Sequence, residues 1–338
     1  MKLALYAGVA ALALAAGATA VQAQSRDTIQ IAGSSTVLPF ASIVAEEFAA
    51  AFPEFKAPVV GSGGTGGGLK QFCEGVGDNT IDIANASRKI KDSELEACTA
   101  AGVTDVREVQ FGYDGVVFAS SATGPDFALT PAQIYQAIAA KVPVDGALVD
   151  NPYTKWNQID PALPDQNISL AIPGTNHGTR EVFQLQVVDA GAEEVGLPES
   201  LTAEEKTAAT TTFRQDVVVE ISGDYTETLA RLTSNPETVG VFGLSFYDQN
   251  KDTLKIATIN GVVPSNATVV SGEYPVGRPL FFYVKGQHIG TVPGIEEYVQ
   301  FFLSESAAGG SLEAAGLIPQ PADTSAAQLA AFEAGPAQ

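Results

Sequence analysis

Four short stretches place small hydroxyls, glycines and, twice, an arginine where a strand gives way to a helix. They are Ser34-Ser35-Thr36, Gly61-Ser62-Gly63-Gly64, Ser87-Arg88 and His177-Gly178-Thr179-Arg180. N–H groups at a helix start, together with the local dipole, favour an anion. Hydroxyls add directional donors, and an arginine adds a charge-assisted, two-pronged clamp. A tetrahedral oxyanion has enough acceptors to use all four stretches. His177 can orient it through one ring nitrogen, with a charge that depends on pH. Each stretch alone has an ordinary reading. A Ser or Thr before a helix is more often an N-cap, a glycine run is often only a turn, and Arg88 or Arg180 alone is usually a surface ion-pair partner. His177 alone is usually a loop or structural hydrogen-bonding group. The recurrence carries the signal.

The run GSGGTGGG at 61–68, with Leu69-Lys70 after it, invites a nucleotide-binding reading. A Walker loop requires GxxxxGK[ST]. Here Lys70 follows leucine and precedes Gln71, so that reading fails. A flexible connector has the same composition, and the partner stretches favour a wall of an anion cradle instead.

The elements that must position these groups follow from the apolar pattern. TIQIAG at 28–33 reads as a strand leading to a helix with Val37, Phe40, Ile43, Val44 and Phe48 on one face and Pro39 in its first turn. APVVGSGG repeats strand, glycine turn and helix, and IDIANASR adds a third strand ending at Ser87-Arg88. FGYDGVVFASS carries the chain out of this region, Thr130-Pro131 opens a helix, and Thr202 with Glu205 has the spacing of a capping box. RPLFFYVKG reads as a second crossover strand, and the segment from Pro321 is expected to fray. The expected architecture is α/β, with two lobes joined by two crossover strands and a ligand in the cleft where strand ends converge. The expected divisions are 1–23 as a signal peptide, 24–113 with 276–338 as lobe 1, and 114–275 as lobe 2.

The 338 residues carry 18 Lys and Arg against 39 Asp and Glu, a formal charge of −21. That surface argues against nucleic acid or an anionic membrane as partner. It does not exclude a small anion in a site governed by local donors. The start MKLALYAGVAALALAAGATAVQAQ has a Lys2 n-region, an Ala/Leu stretch and a Val21-Gln22-Ala23 cleavage pattern, so export with a mature start at Gln24 is expected. An uncleaved anchor is the alternative. Cys73 and Cys98 are expected to form a disulfide outside the cytoplasm, with two free thiols as the alternative.

In order along the chain, IAGSSTVLPF at 31–40, GSGGTGGGLKQF at 61–72, IDIANASRKI at 81–90, HGTREVF at 177–183, VGVFGLSFY at 239–247 and SGEYPVGRPLFFYVKG at 271–286 resemble the phosphate-binding proteins of bacterial phosphate ABC importers. The resemblance implies a type II periplasmic binding protein that closes around inorganic phosphate. It would deliver the ligand to a membrane permease with its ATPase, and work as a monomer without cofactor or metal. By motif, Ser35 and Thr36 fall in the first loop, Ser62 in the second, Ser87 and Arg88 in the third, and His177, Gly178 and Thr179 in the fourth; Ser34, Gly63 and Arg180 complete the expected ligand set. Many relatives have an Asp where this chain has Arg88. The fourth loop commonly reads Arg-x-x-x-Ser-Gly-Thr, whereas here Pro173 and His177 take the Arg and Ser positions. The charge is therefore expected from Arg88, aided by Arg180. Asp114, Glu181 and Asp224 are the candidate proton acceptors. Another oxyanion or a phosphonate is the alternative ligand. A secreted phosphatase and a non-binding envelope scaffold are weaker alternatives, because no metal cluster or activated nucleophile is evident.

Overall fold

A computed structural model of the chain describes residues 26–175, 178–222 and 224–335. The predicted signal peptide and His177 lie outside these residues.

The first half of the chain builds strand–helix units in succession. They are β1 (Gln30–Gly33), α1 (Leu38–Ala51), β2 (Val59–Ser62), α2 (Gly64–Phe72), β3 (Ile83–Ala86) and α3 (Asp92–Ala100). The long β4 (Val106–Ser121) then leaves this lobe and pairs in both halves of the molecule. The second lobe carries β5 (Leu170–Pro173), α4 (Gly178–Phe183), β6 (Val218–Ile221) and β7 (Val239–Gly243). The chain returns through β8 (Gly277–Lys285) and ends in α5 (Ile295–Glu305) and α6 (Ala322–Ala334).

The main sheet runs β2–β1–β3–β8–β4–β7–β5–β6. Within each lobe β1 is parallel to β2 and β3, and β5 is parallel to β6 and β7. The central pair β8 and β4 is antiparallel, with Arg278 opposite Asp114 and Gly277 opposite Gly115. Two sets of apolar side chains give each lobe its own core. One set joins residues of 29–111 to residues of 280–332 on the two faces of the first half-sheet. The other gathers residues of 116–276 around Phe118, Trp156, Phe183 and Phe242, with Ile318 reaching in from the first lobe.

Local chemistry accounts for the elements that shape the cleft. α1 starts with Pro39 in its first turn and buries Phe40, Val44 and Phe48. Ile43 packs at the edge of that core. Phe48 meets Tyr298 of α5 edge-on at 5.5 Å, and full burial of such a ring contributes about 1.5–3 kcal/mol. The glycine run differs from the expected turn, because Gly64 to Gly68 already belong to α2. A Cβ at Gly68 would stand 2.4 Å from the Gly33 Cα, so the missing side chain lets α2 lie directly on β1. Gly33 itself has φ +146, and a Cβ there would strike the Asn85 carbonyl oxygen at 2.1 Å. The glycines thus bring three strand ends to one spot.

Cys73 at the end of α2 and Cys98 in α3 form a disulfide. The two predicted helix caps are present: Thr130 Oγ1 accepts from the Gln133 N–H, and Thr202 exchanges bonds with Glu205. The expected fraying from Pro321 is not what the structure contains. α6 packs against β4, with Phe332 buried, its carbonyl accepting from Arg107 and its ring lying under the same guanidinium. An alanine-rich segment gives little amphipathic signal, so one aromatic and one arginine hold what the pattern does not reveal.

Candidate functional site

The loops after β1, β2 and β3 converge at the carboxyl ends of parallel strands, where open α/β sheets hold ligands. Ser34 is fully buried; its hydroxyl accepts the Thr36 N–H at 3.2 Å and its carbonyl accepts the Leu38 N–H, so it shapes the entry to α1. The Ser35 and Ser62 hydroxyls face one another at 3.1 Å, joining the first two loops. The Gly63 N–H donates to the Gly33 carbonyl at 3.0 Å, which commits that amide to the loop itself. In the third loop the Ser87 N–H donates to Thr65 Oγ1, and the two hydroxyl oxygens lie 3.0 Å apart.

The two arginines singled out from the sequence are already engaged. Arg88 makes a bidentate pair with Glu94, at 2.9 and 2.8 Å, and donates to the Lys89 carbonyl. This bond is the main reason the Arg88 pKa is raised and the Glu94 pKa lowered. The guanidinium stays near the second loop, where a Cβ on Gly66 would be 3.9 Å from its Nη2. Arg180 donates to the Pro173 carbonyl and to Glu220, and lies over the Phe213 ring at 5.1 Å.

A third arginine, not singled out from the sequence, supplies the buried cation. Arg278, 6% exposed, comes from β8 and donates from Nη2 to Thr36 Oγ1 at 2.9 Å. Asp114 stands opposite it on β4 and is 8% exposed. Glu181 Oε2 lies 3.9 Å from the same guanidinium. Burial pulls the Arg278 pKa down, opposed by Asp114 and Glu181. Burial likewise pushes the Asp114 carboxyl above the usual carboxylate range, while Arg278 and the Gly115 N–H hold it back. Among the described residues, Asp114 Oδ2 and Arg278 Nε have no hydrogen-bond partner although both are buried. Each such atom is costly to leave unsatisfied.

Asp114 and Thr36, the latter bonded to Arg278, border a cavity of about 140 Å³ lined by residues of both lobes, among them Phe40, Thr179, Tyr225 and Ser245. Thr179 is buried in the first turn of α4 and hydrogen-bonds the Tyr225 hydroxyl, whose pKa is raised by burial. A larger groove of about 480 Å³ lies between the hairpin 141–150 and the helix Ala203–Thr211. Its walls are mainly small and apolar, including Ala140, Ala147, Leu148, Pro198 and Leu201; its one cation, Lys141, is exposed and shares the lining with Glu205. The smaller cavity is therefore the chemically informative one. Of the ligand set expected from sequence, Thr36 and Thr179 line it and Ser35, Ser62 and Ser87 stand in the loops beside it, whereas Arg88 and Arg180 are held by other carboxylates.

Two lobes that share a central strand pair, with donors and one buried cation at the strand ends between them, have the form of a solute-binding protein. The sequence profile of the PBP superfamily domain matches residues 18–306. The chain belongs to this superfamily and, within it, to the PstS-like phosphate-binding proteins. It is 31% identical over 296 residues to protein SphX of Synechococcus elongatus, covering 86% of this chain and 77% of SphX. It is 30% identical over 304 residues to the phosphate-binding protein PstS of Staphylococcus epidermidis, covering 88% of this chain and 80% of PstS. A solved possible phosphate binding protein from Planctomyces limnophilus superposes with a TM-score of 0.70 at 28% identity, covering 91% of this chain and 98% of that one. An ABC-type phosphate transport receptor from Vibrio cholerae shares the fold, with a TM-score of 0.59 at 20% identity over 86% of this chain and all of that one.

Proposed function

We propose that this protein captures inorganic phosphate between its lobes outside the cytoplasm and delivers it to an ABC permease and its ATPase. The observation that carries the reading is the buried Arg278, opposite Asp114 and bonded to Thr36, where Asp114 and Thr36 line a cavity between the lobes. A guanidinium offers the charge that an oxyanion needs. A carboxylate beside it offers an acceptor for the proton of hydrogen phosphate, which a fully deprotonated anion cannot supply. In this reading Arg278 takes the charge role expected of Arg88. Ser35, Thr36, Ser62 and Thr179 supply hydroxyls, with Gly178 at the start of α4 as a further ligand residue; His177 joins the set by its place in the sequence alone. The lobes divide as 24–113 with 276–338 and 114–275. They hinge on β4 and β8, and the protein works as an exported monomer after loss of residues 1–23.

Capture requires no bond to be made or broken. The Ser35 and Ser62 hydroxyls face each other rather than a base. Closure removes water and strengthens each bond to the anion. Titration calorimetry of ligand-stripped protein with phosphate, arsenate and sulfate tests the reading. One-to-one phosphate binding with little response to sulfate is expected. Saturation by sulfate or a phosphonate but not phosphate would overturn the ligand and keep the fold.

A further inference from the structure

We infer that Glu181 is a latch between the lobes: carried by the second lobe, its carboxylate holds the first lobe through Ser87 and Arg278 and so favours the closed state. The inference rests on the reading of closure around an anion given above.

Ser87 Oγ donates to Glu181 Oε1 at 3.2 Å across the cleft, and Glu181 Oε2 faces Arg278 Nη2 at 3.9 Å. Ser87 is pre-oriented for this bond. Its N–H donates to Thr65 Oγ1, and the Thr65 hydroxyl lies 3.0 Å from its own. A hydroxyl has a single proton. With Thr65 donating to Ser87, the Ser87 proton is directed at Glu181. Arg278 and Asp114 also face one another across the division, but at the crossover itself, and two further side-chain contacts between the lobes are weaker. Ser245 Oγ donates to the Gly316 carbonyl at 3.4 Å, a long and neutral bond. Gln186 Nε2 reaches the Gly277 carbonyl at 3.3 Å, at the crossover, where separation of the lobes moves the chain least. The Ser87–Glu181 bond is charged and lies away from that crossover, so opening must break it. A contact present in one state and absent in the other shifts the equilibrium between them by its own free energy.

The assignment also bears on the third loop. Ser87 was expected to donate to the ligand, yet its one proton is committed to Glu181 in this structure. Ser87 then acts on the anion indirectly, by holding the cleft shut.

The test uses spin labels at the exposed Glu96 and Glu204, one on each lobe, to read the distance between lobes in phosphate-free full-length mature protein. Glu181→Ala and Ser87→Ala are each expected to lower the closed population, and the double variant to add little, as two halves of one contact do. Glu181→Gln, which keeps an acceptor oxygen, is expected to fall between. Stopped-flow release of inorganic phosphate should quicken about three- to tenfold in each single variant, the loss of a hydrogen bond of ordinary net strength. Thermal unfolding and circular dichroism check that each variant is folded. An unchanged closed population in folded Glu181→Ala would overturn the latch. So would tighter phosphate binding, which would mark the carboxylate as a rival of the anion for Arg278. If the wild-type protein binds no phosphate, the ligand assignment fails, and the distance measurement still decides the latch.

Discussion

Replacing Arg278 separates charge from packing most directly. Methionine preserves much of the side chain's length and removes the guanidinium. Two effects should follow, and the structure predicts that they can be pulled apart. The first is on stability. Asp114 would be left buried opposite a neutral residue, and breaking a buried pair from one side costs about 3–5 kcal/mol, eased as Asp114 takes up a proton. The second is on binding. Loss of charge-assisted hydrogen bonds to a desolvated anion is worth about 3 kcal/mol, roughly 150-fold in Kd. Arg278→Met combined with Asp114→Asn removes the stranded carboxylate and should recover most of the stability without recovering the affinity. Urea unfolding measures the first effect and titration calorimetry with phosphate the second. A folded double variant that binds phosphate as tightly as the wild type would refute the role given to Arg278. A single variant with unchanged stability would refute the coupling to Asp114.

Arg88→Ala should change phosphate affinity by no more than about threefold and stability by about 0.5–1 kcal/mol, because Arg88 is a half-exposed partner of Glu94; calorimetry and urea unfolding read both. Asp114→Asn should admit sulfate, and phosphate and sulfate titrations at pH 6 and pH 8 would show the wild type rejecting sulfate more strongly at the higher pH, where Asp114 is more fully ionised. Because the folded protein holds the Asp114 pKa above its unfolded value, the stability this group contributes is present in acid and is lost as pH rises through the folded pKa. The asparagine variant should therefore gain on the wild type in urea unfolding as pH rises above the ordinary carboxylate range. Replacing Cys73 and Cys98 by serine opens a cross-link of sequence separation 25, which should cost about 3.5 kcal/mol in thermal unfolding. Phe332→Ala should cost about 3–5 kcal/mol and expose α6 to limited proteolysis.

The sequence made visible what depends on near neighbours. The caps at Thr130 and Thr202, the buried face of α1 and the strand–loop–helix units all rest on contacts within a few residues, and the structure contains them. The hydroxyl loops were equally visible. The source of the charge was not. Arg278 is followed by Pro279 and reads as an unremarkable strand residue; its burial follows from lying opposite Asp114, 164 positions earlier, in an antiparallel register that no local pattern encodes. Tyr-Asp-Gly at 113–115 and Gly-Arg-Pro at 277–279 gave one available signal, since each places an ionisable residue inside a strand that otherwise reads as core. The glycines read as a turn between strand and helix, and glycine is a poor helix former, yet Gly64 to Gly68 lie within α2. The 2.4 Å approach to Gly33 accounts for Gly68, whereas a side chain at Gly67 would meet open space.

The pairing of Asp114 with Arg278 has a mechanical consequence. Both stand where β4 and β8 cross from one lobe to the other, close to the axis about which the lobes would turn. Points near an axis travel little while the rims sweep through the full arc. In the proposed reading, the charge that attracts an anion would sit on the part of the molecule that moves least, and the hydroxyls that recognise its shape on the parts that swing. An arriving anion would meet the same electrostatic floor whether the jaws are apart or together. Attraction and inspection become separate events in time, the first set by the pivot and the second by the swing.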